Sequence, residues 1–144
     1  MTWECKPGKS IVARLPYGED IIKSITSVVR EKKISLAHFT VVGALKRAKI
    51  AYYDQGAKEY KVIEIQSPHE IVSCTGNISV YKGEPFVHAH VVLADHQGFT
   101  RGGHLLEGTI FAAELHLQEL EGPRLERSPD KTTGLVLWRE ERSL

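Results

Sequence analysis

At 144 residues, with 42% hydrophobic and 26% charged residues, the chain has the length and composition of one globular domain. Nineteen Lys and Arg against eighteen Asp and Glu leave a net charge of +1, without the basic excess a dedicated DNA binder uses to displace phosphate counterions. The opening residues lack the apolar run of a signal peptide and no stretch reaches the length of a membrane span, so the expected address is the cytoplasm.

In chain order, Ser10 to Leu15 alternates weakly and runs into Pro16-Tyr17-Gly18, a strand ending in a turn. A helix follows. Glu19 and Asp20 place negative charge in its first turn, Ile21, Ile22, Ile25, Val28 and Val29 recur at helical spacing, and Arg30, Lys32 and Lys33 close it. Strands are predicted for Ala37 to Val42, stopping at Gly43, and for Lys49 to Tyr53, stopping at Asp54-Gln55-Gly56. The basic run Lys46-Arg47-Ala48-Lys49 between them reads as a helix end or a solvated loop.

Lys58 to Gln66 alternates, with Tyr60, Val62 and Glu64 on one side. Further strands are expected at Glu70 to Thr75, Asn77 to Tyr81, Phe86 to Ala94, Thr109 to Leu120 and Gly134 to Arg139, with Gly76-Asn77 and Lys82-Gly83-Glu84 as turns. One helix among many strands makes an α+β domain with a mostly antiparallel sheet. The spacing of Gly43-Ala44-Leu45, Ala48 and Ile50 recurs in Gly103-His104-Leu105, Gly108 and Ile110, a hint of internal duplication. Cys5 and Cys74 form no C-x-x-C pair, and the sequence leaves a disulfide between them open.

One constellation carries chemistry. In Phe86 to Leu93, His88 and His90 lie two apart on a strand, so both rings share one face about 6.6 Å apart while Val87, Ala89, Val91 and Leu93 face the core. Such a pair can converge on one divalent ion, and a third ligand leaves the open position of a catalytic-type zinc site. His104 is the candidate third: the strand is expected to end at Asp95, turn through Gly98 and return, with Gly102-Gly103 letting the backbone turn and approach closely. The bland alternative is two histidines on a solvated face and a loop histidine. Imidazole suits zinc, copper, nickel and iron alike, so the three histidines by themselves leave the choice among these metals open.

Asp95, Glu107 and Glu114 are candidate carboxylates beside such an ion, and Arg101 a candidate anion holder. His38, His69, His96 and His116 lack such company and read as structural. No G-x-S-x-G elbow, P-loop or G-x-G-x-x-G is present, which argues against a serine hydrolase or a nucleotide-dependent enzyme. The sequence alone assigns none of these residues a catalytic role.

Gly18-Glu19-Asp20-Ile21, Gly76-Asn77-Ile78-Ser79, Pro85 to His90, Gly102-Gly103-His104-Leu105 with Gly108, and Thr133-Gly134-Leu135 together resemble the PPC domain, conserved in plants and prokaryotes. The resemblance covers residues 10–138 or so, within a single domain 1–144. It implies a mixed α+β fold, a homotrimer, and a binding or regulatory role, with DNA or another protein as partner. The Arg-Gly-Arg-Pro core of the AT-hook that the plant members use on DNA is absent. The fold is also similar to that of acetolactate decarboxylase, which binds zinc through an H-x-H pair and a later histidine. That parallel supports His88, His90 and His104 as metal ligands, and the decarboxylase's activity does not carry over with it. The alternative to a binding or regulatory module is a metal-dependent lyase or hydrolase for a small anionic substrate, the metal polarising a carbonyl or activating water.

Overall fold

The computed structural model describes residues 1–140. Its elements are β1 (Lys6–Leu15), α1 (Ile21–Lys32), β2 (Ala37–Asp54), β3 (Glu59–Ile65), β4 (His69–Tyr81), β5 (Glu84–Ala94), β6 (Thr100–Glu121), β7 (Leu125–Pro129) and β8 (Val136–Glu140). All eight strands join one sheet in the order β3-β2-β6-β5-β4-β7-β8, with β1 on β6. Because β2 pairs with both β6 and β4, the ring β2-β6-β5-β4 closes on itself. Every pairing is antiparallel except β4 with β7.

Side chains that alternate along these strands fill the core: Phe39, Leu45, Ile50, Ile78, Leu93, Ile110 and Leu115 are fully buried. Helix α1 contributes Ile21, Ile25 and Val29, the expected apolar stripe. Its start differs from the sequence reading in one respect: Asp20 is the N-cap, Glu19 precedes it, and the first turn holds no acidic residue. The Asp20 carboxylate accepts from the Lys23 amide at 2.9 Å and, with its other oxygen, from the Gly108 amide of β6 at 2.9 Å. One side chain thus caps the helix and pins it to the sheet. Asp20→Ala is expected to cost about 1–2 kcal/mol in urea unfolding, more than a cap alone, because the partly buried Gly108 amide also loses its acceptor.

Three predicted breaks are not breaks. Strand β2 runs through Gly43 and through Lys46-Arg47-Ala48-Lys49, so that basic run is neither a helix end nor a loop; bulges at Val41/Gly43 and on either side of Leu45 absorb the irregularity. Strand β4 runs through Gly76-Asn77, where a Cβ on Gly76 would lie 2.4 Å from the Phe39 ring and 2.3 Å from the His88 carbonyl oxygen. Strand β6 begins at Thr100, so Gly102 and Gly103 lie inside it, their missing Cβ atoms admitting the Val91 and Ala51 carbonyl oxygens. In each case glycine serves close approach between strands. Lys82-Gly83 is a turn as expected, with both residues at positive φ.

Strand β3 is at the sheet edge and exposed up to Ile65, so its alternation does not mark a buried face. Strand β7 had no sequence prediction. The two similar segments lie in β2 and β6 as direct partners, Leu45 opposite Ile110, Ala48 opposite Gly108 and Ile50 opposite Leu105, a local two-fold arrangement. Cys5 and Cys74 are free thiols, and burial pushes the Cys74 thiol up to about 11. No helix among the described residues is long and apolar enough to cross a membrane.

Candidate metal centre

The chain leaves β5 at Ala94, turns over Asp95–Phe99 and returns as β6, which brings His104 directly opposite His90. The turn is tied by Asp95: its carboxylate accepts from the Gln97 and Phe99 amides at 2.9 and 3.0 Å, and its carbonyl from Gly98. Inward-facing Ala89, Val91 and Leu93 fix β5 on the core, so His88 and His90 project from the other face. The His88 ring centroid lies 5.1 Å from His90 and 5.2 Å from His104, and His90 is 5.6 Å from His104.

One ligand atom from each of the three rings lies within 4.8 Å of the others. Nitrogens bound to one zinc at ~2.0–2.1 Å stand roughly 3.4 Å apart, a difference that small side-chain rotations close. The His104 Nδ1 is buried and has no hydrogen-bond partner among the described residues. An imidazole nitrogen left so is costly unless something binds it, and a metal ion would. Burial first, then the Arg127 charge and the two neighbouring rings, pushes His88 down to about 4. Burial, followed by His90 and Arg127, also lowers His104. Both rings are therefore held as neutral imidazoles, the form that ligates metal. The residues present fit a divalent ion.

The histidines line an open cleft of about 620 Å³. Tyr53 and Tyr60 form one wall, Tyr60 stacking over His104 with ring centroids 5.0 Å apart. Phe86 and the β7–β8 hairpin also line the cleft, the hairpin bringing Arg127 and Gly134 to Leu137. Tyr53 donates its hydroxyl to the Thr133 carbonyl at 2.7 Å, and Gly134 leaves room for that hydroxyl, since a Cβ there would meet it at 2.7 Å. So the Thr133-Gly134-Leu135 segment closes one end of the site.

The other candidates lie elsewhere. Arg101 is on β6 opposite Leu93, three residues from His104 and hence on the other face, outside the cleft lining. Glu107 pairs with Lys49 at 3.0 Å in a separate groove, and Asp95 is spent on its turn. Glu114 is exposed, paired in register with Arg14 and Val42. His38, His96 and His116 are exposed, while the buried His69 has its Nδ1 2.9 Å from the Ser67 carbonyl oxygen. Arg127, Tyr60 and Phe86 reach the site without having been singled out in the sequence. No local signal marked Arg127: it lies two residues from Leu125, and only the folded chain buries both on one side of β7.

With that geometry in hand, residues 3–121 match the model of the Plants and Prokaryotes Conserved (PCC) domain, the PPC domain resembled by the sequence. The chain belongs to this family. A solved PPC protein from Pyrococcus horikoshii is 42% identical, covers 99% of each chain and superposes with a TM-score of 0.93. A metal-containing protein from Archaeoglobus fulgidus is 41% identical over 97% of this chain and 99% of its own, with a TM-score of 0.94. A candidate DNA-binding protein from Bacteroides thetaiotaomicron, 23% identical over 97% and 99% of the two chains with a TM-score of 0.85, shares the fold. Among curated proteins, a bifunctional protein GlmU of Synechococcus is 31% identical over 126 residues, 85% of this chain. The PCC chain corresponds to only 19% of that protein's length.

Proposed function

We propose that this PCC-domain protein is a homotrimeric metal-binding module that holds one divalent ion, zinc first, on His88, His90 and His104. The observation that carries it is the His104 Nδ1, buried without a hydrogen-bond partner beside two further imidazoles. The metal-containing relative from Archaeoglobus fulgidus supports the same reading. Self-association is supported by apolar side chains on the outer face of the sheet, Val12, Val42 and Phe111, each at least half exposed in the single chain.

The test is elemental analysis of purified protein, with sedimentation in the same buffer. One zinc per chain and a particle of three chains are expected. Zinc at about a hundred times its Kd should add about 2.7 kcal/mol to unfolding. Absence of any metal uptake removes the metal half, and a monomer removes the assembly half.

A second reading, a metal-dependent lyase or hydrolase for a small anionic substrate, is favoured by the open cleft at the histidines. A bound ion would supply Lewis-acid polarisation of a carbonyl or an activated water. The chain's own part is to hold the rings neutral, line the approach with Tyr53, Tyr60 and Phe86, and place Arg127 beside them. DNA binding, suggested by the Bacteroides relative, would show as affinity falling steeply with salt; the net charge of +1 gives it little support.

A further inference from the structure

A guanidinium keeps its charge in proteins, and burying that charge is unfavourable unless an anion or a full set of acceptors answers it. Arg127 is 7% exposed. Its Nε donates to Ser79 Oγ at 2.7 Å, one terminal nitrogen to the Val136 carbonyl at 2.9 Å, and the other to Asn77 Oδ1 at 2.8 Å. All three acceptors are neutral. The guanidinium carbon lies 4.9 Å from the Phe86 ring centroid and 5.6 Å from that of Trp138. Among the described residues no carboxylate forms an ion pair with it.

The acids nearest to Arg127, Phe86 and Tyr60 in the sequence are engaged elsewhere. Glu126, the neighbour of Arg127 in β7, accepts from the Gly83 amide, Glu84 pairs with Arg30, and Glu59 pairs with Lys61. Partial burial first, then Tyr53, raises the Tyr60 hydroxyl although Arg127 acts to lower it, so Tyr60 is not an anionic partner for the guanidinium. Three of five guanidinium N–H groups are used, so each terminal nitrogen retains one. A buried, orientationally locked cation with donors to spare lines the same cleft as the three histidines.

We infer that Arg127 is the recognition group of this cleft for a small organic carboxylate, held beside the histidine centre. Two remaining N–H groups on one monocation match the two oxygens and single charge of a carboxylate. A phosphate dianion would need several further donors, whereas Tyr53 has spent its hydroxyl on Thr133, Phe86, Leu135 and Leu137 offer apolar surface, and the Tyr60 hydroxyl adds one donor. Together with a metal ion, Arg127 would hold the two ends of one anion. The inference rests on the metal-site reading only for the second contact; the first is a property of Arg127 itself.

Benzoate, suited to an aromatic-lined cleft, is the probe, with inorganic phosphate as comparison, titrated into zinc-loaded and metal-stripped full-length protein. The readouts are calorimetric affinity and the Nε–H resonance of Arg127. Benzoate is expected to move that resonance in both forms and to bind the zinc-loaded form at least as tightly, the added positive charge acting in the same direction. Arg127→Met should weaken binding about tenfold or more, as loss of a charge-assisted pair does, and leave zinc stoichiometry unchanged. Arg127→Lys should fall between the two.

Benzoate binding with the Arg127 resonance unmoved, equal affinity in Arg127→Met, no benzoate binding to wild type, or tighter binding of phosphate each overturns the carboxylate assignment. If zinc is not taken up but benzoate still moves Arg127, the metal reading falls and this inference stands. Should Arg127→Met fail to fold, having lost its ties to Ser79 and Asn77, the wild-type resonance decides.

Discussion

Gly43→Ala is expected to unfold the chain or to cost more than about 3 kcal/mol, the range of severe overpacking and backbone strain added together. Gly43 sits in the middle of β2 at φ 145, between Ala113 of β6 and Ile71 of β4. A Cβ there would stand 2.0 Å from the Ala112 carbonyl oxygen and 2.9 Å from the Ala113 Cα. Both obstacles are backbone, so no side chain can rotate away. Relief would require parting β2 from β6, the longest pairing in the sheet and one side of the closed ring. Gly18→Ala is the control: φ is 81 and nothing lies within 4 Å of its Cβ, leaving only the local strain of about 1–2 kcal/mol. Urea unfolding of the two variants separates collision from strain. A Gly43→Ala midpoint as high as that of Gly18→Ala would mean that the β2–β6 contact yields readily.

The same glycine shows where sequence reading stops. Local composition marks Gly43, Gly76 and Gly102-Gly103 as places where a strand could end, because glycine permits turns. What requires glycine at these positions is a carbonyl oxygen or a phenyl ring from a strand distant in sequence. The histidine pair was legible because a two-residue period is a local property: His88 and His90 share a face whichever strands flank them. His104 could be placed because Asp95 and Gly98 are turn residues and the return path is short. Arg101 reads as a neighbour of His104 only while Gly102-Gly103 is taken as a turn; within a continuous strand, parity sends it to the other face. Arg127 comes from a five-residue strand ending in Pro129, too short to stand out, and its role depends on Ser79, Asn77 and Phe86 from β4 and β5.

Metal-free protein is expected to lose stability as the pH falls from 6.5 towards 4, and His88 accounts for a defined part of the loss. Its folded-state value of about 4 lies below the 6.5 of an ordinary histidine. Between those limits the unfolded chain takes up a proton that the folded chain refuses, so acid favours unfolding; above 6.5 neither state is protonated there and the effect vanishes. The full interval is discounted because His88 is only half-buried, leaving on the order of 2 kcal/mol at pH 4. His104, lowered in the same direction by burial, acts in the same sense. Urea unfolding of chelator-treated wild type and His88→Asn at pH 7, 5 and 4 isolates the His88 share, since asparagine does not titrate. The variant should show the shallower decline, with the gap between the two proteins opening below pH 6.5. Parallel declines would mean that the His88 ring accepts a proton in the folded state as readily as in the unfolded one. The centre would then lack the enforced neutrality that suits its rings to a metal ion.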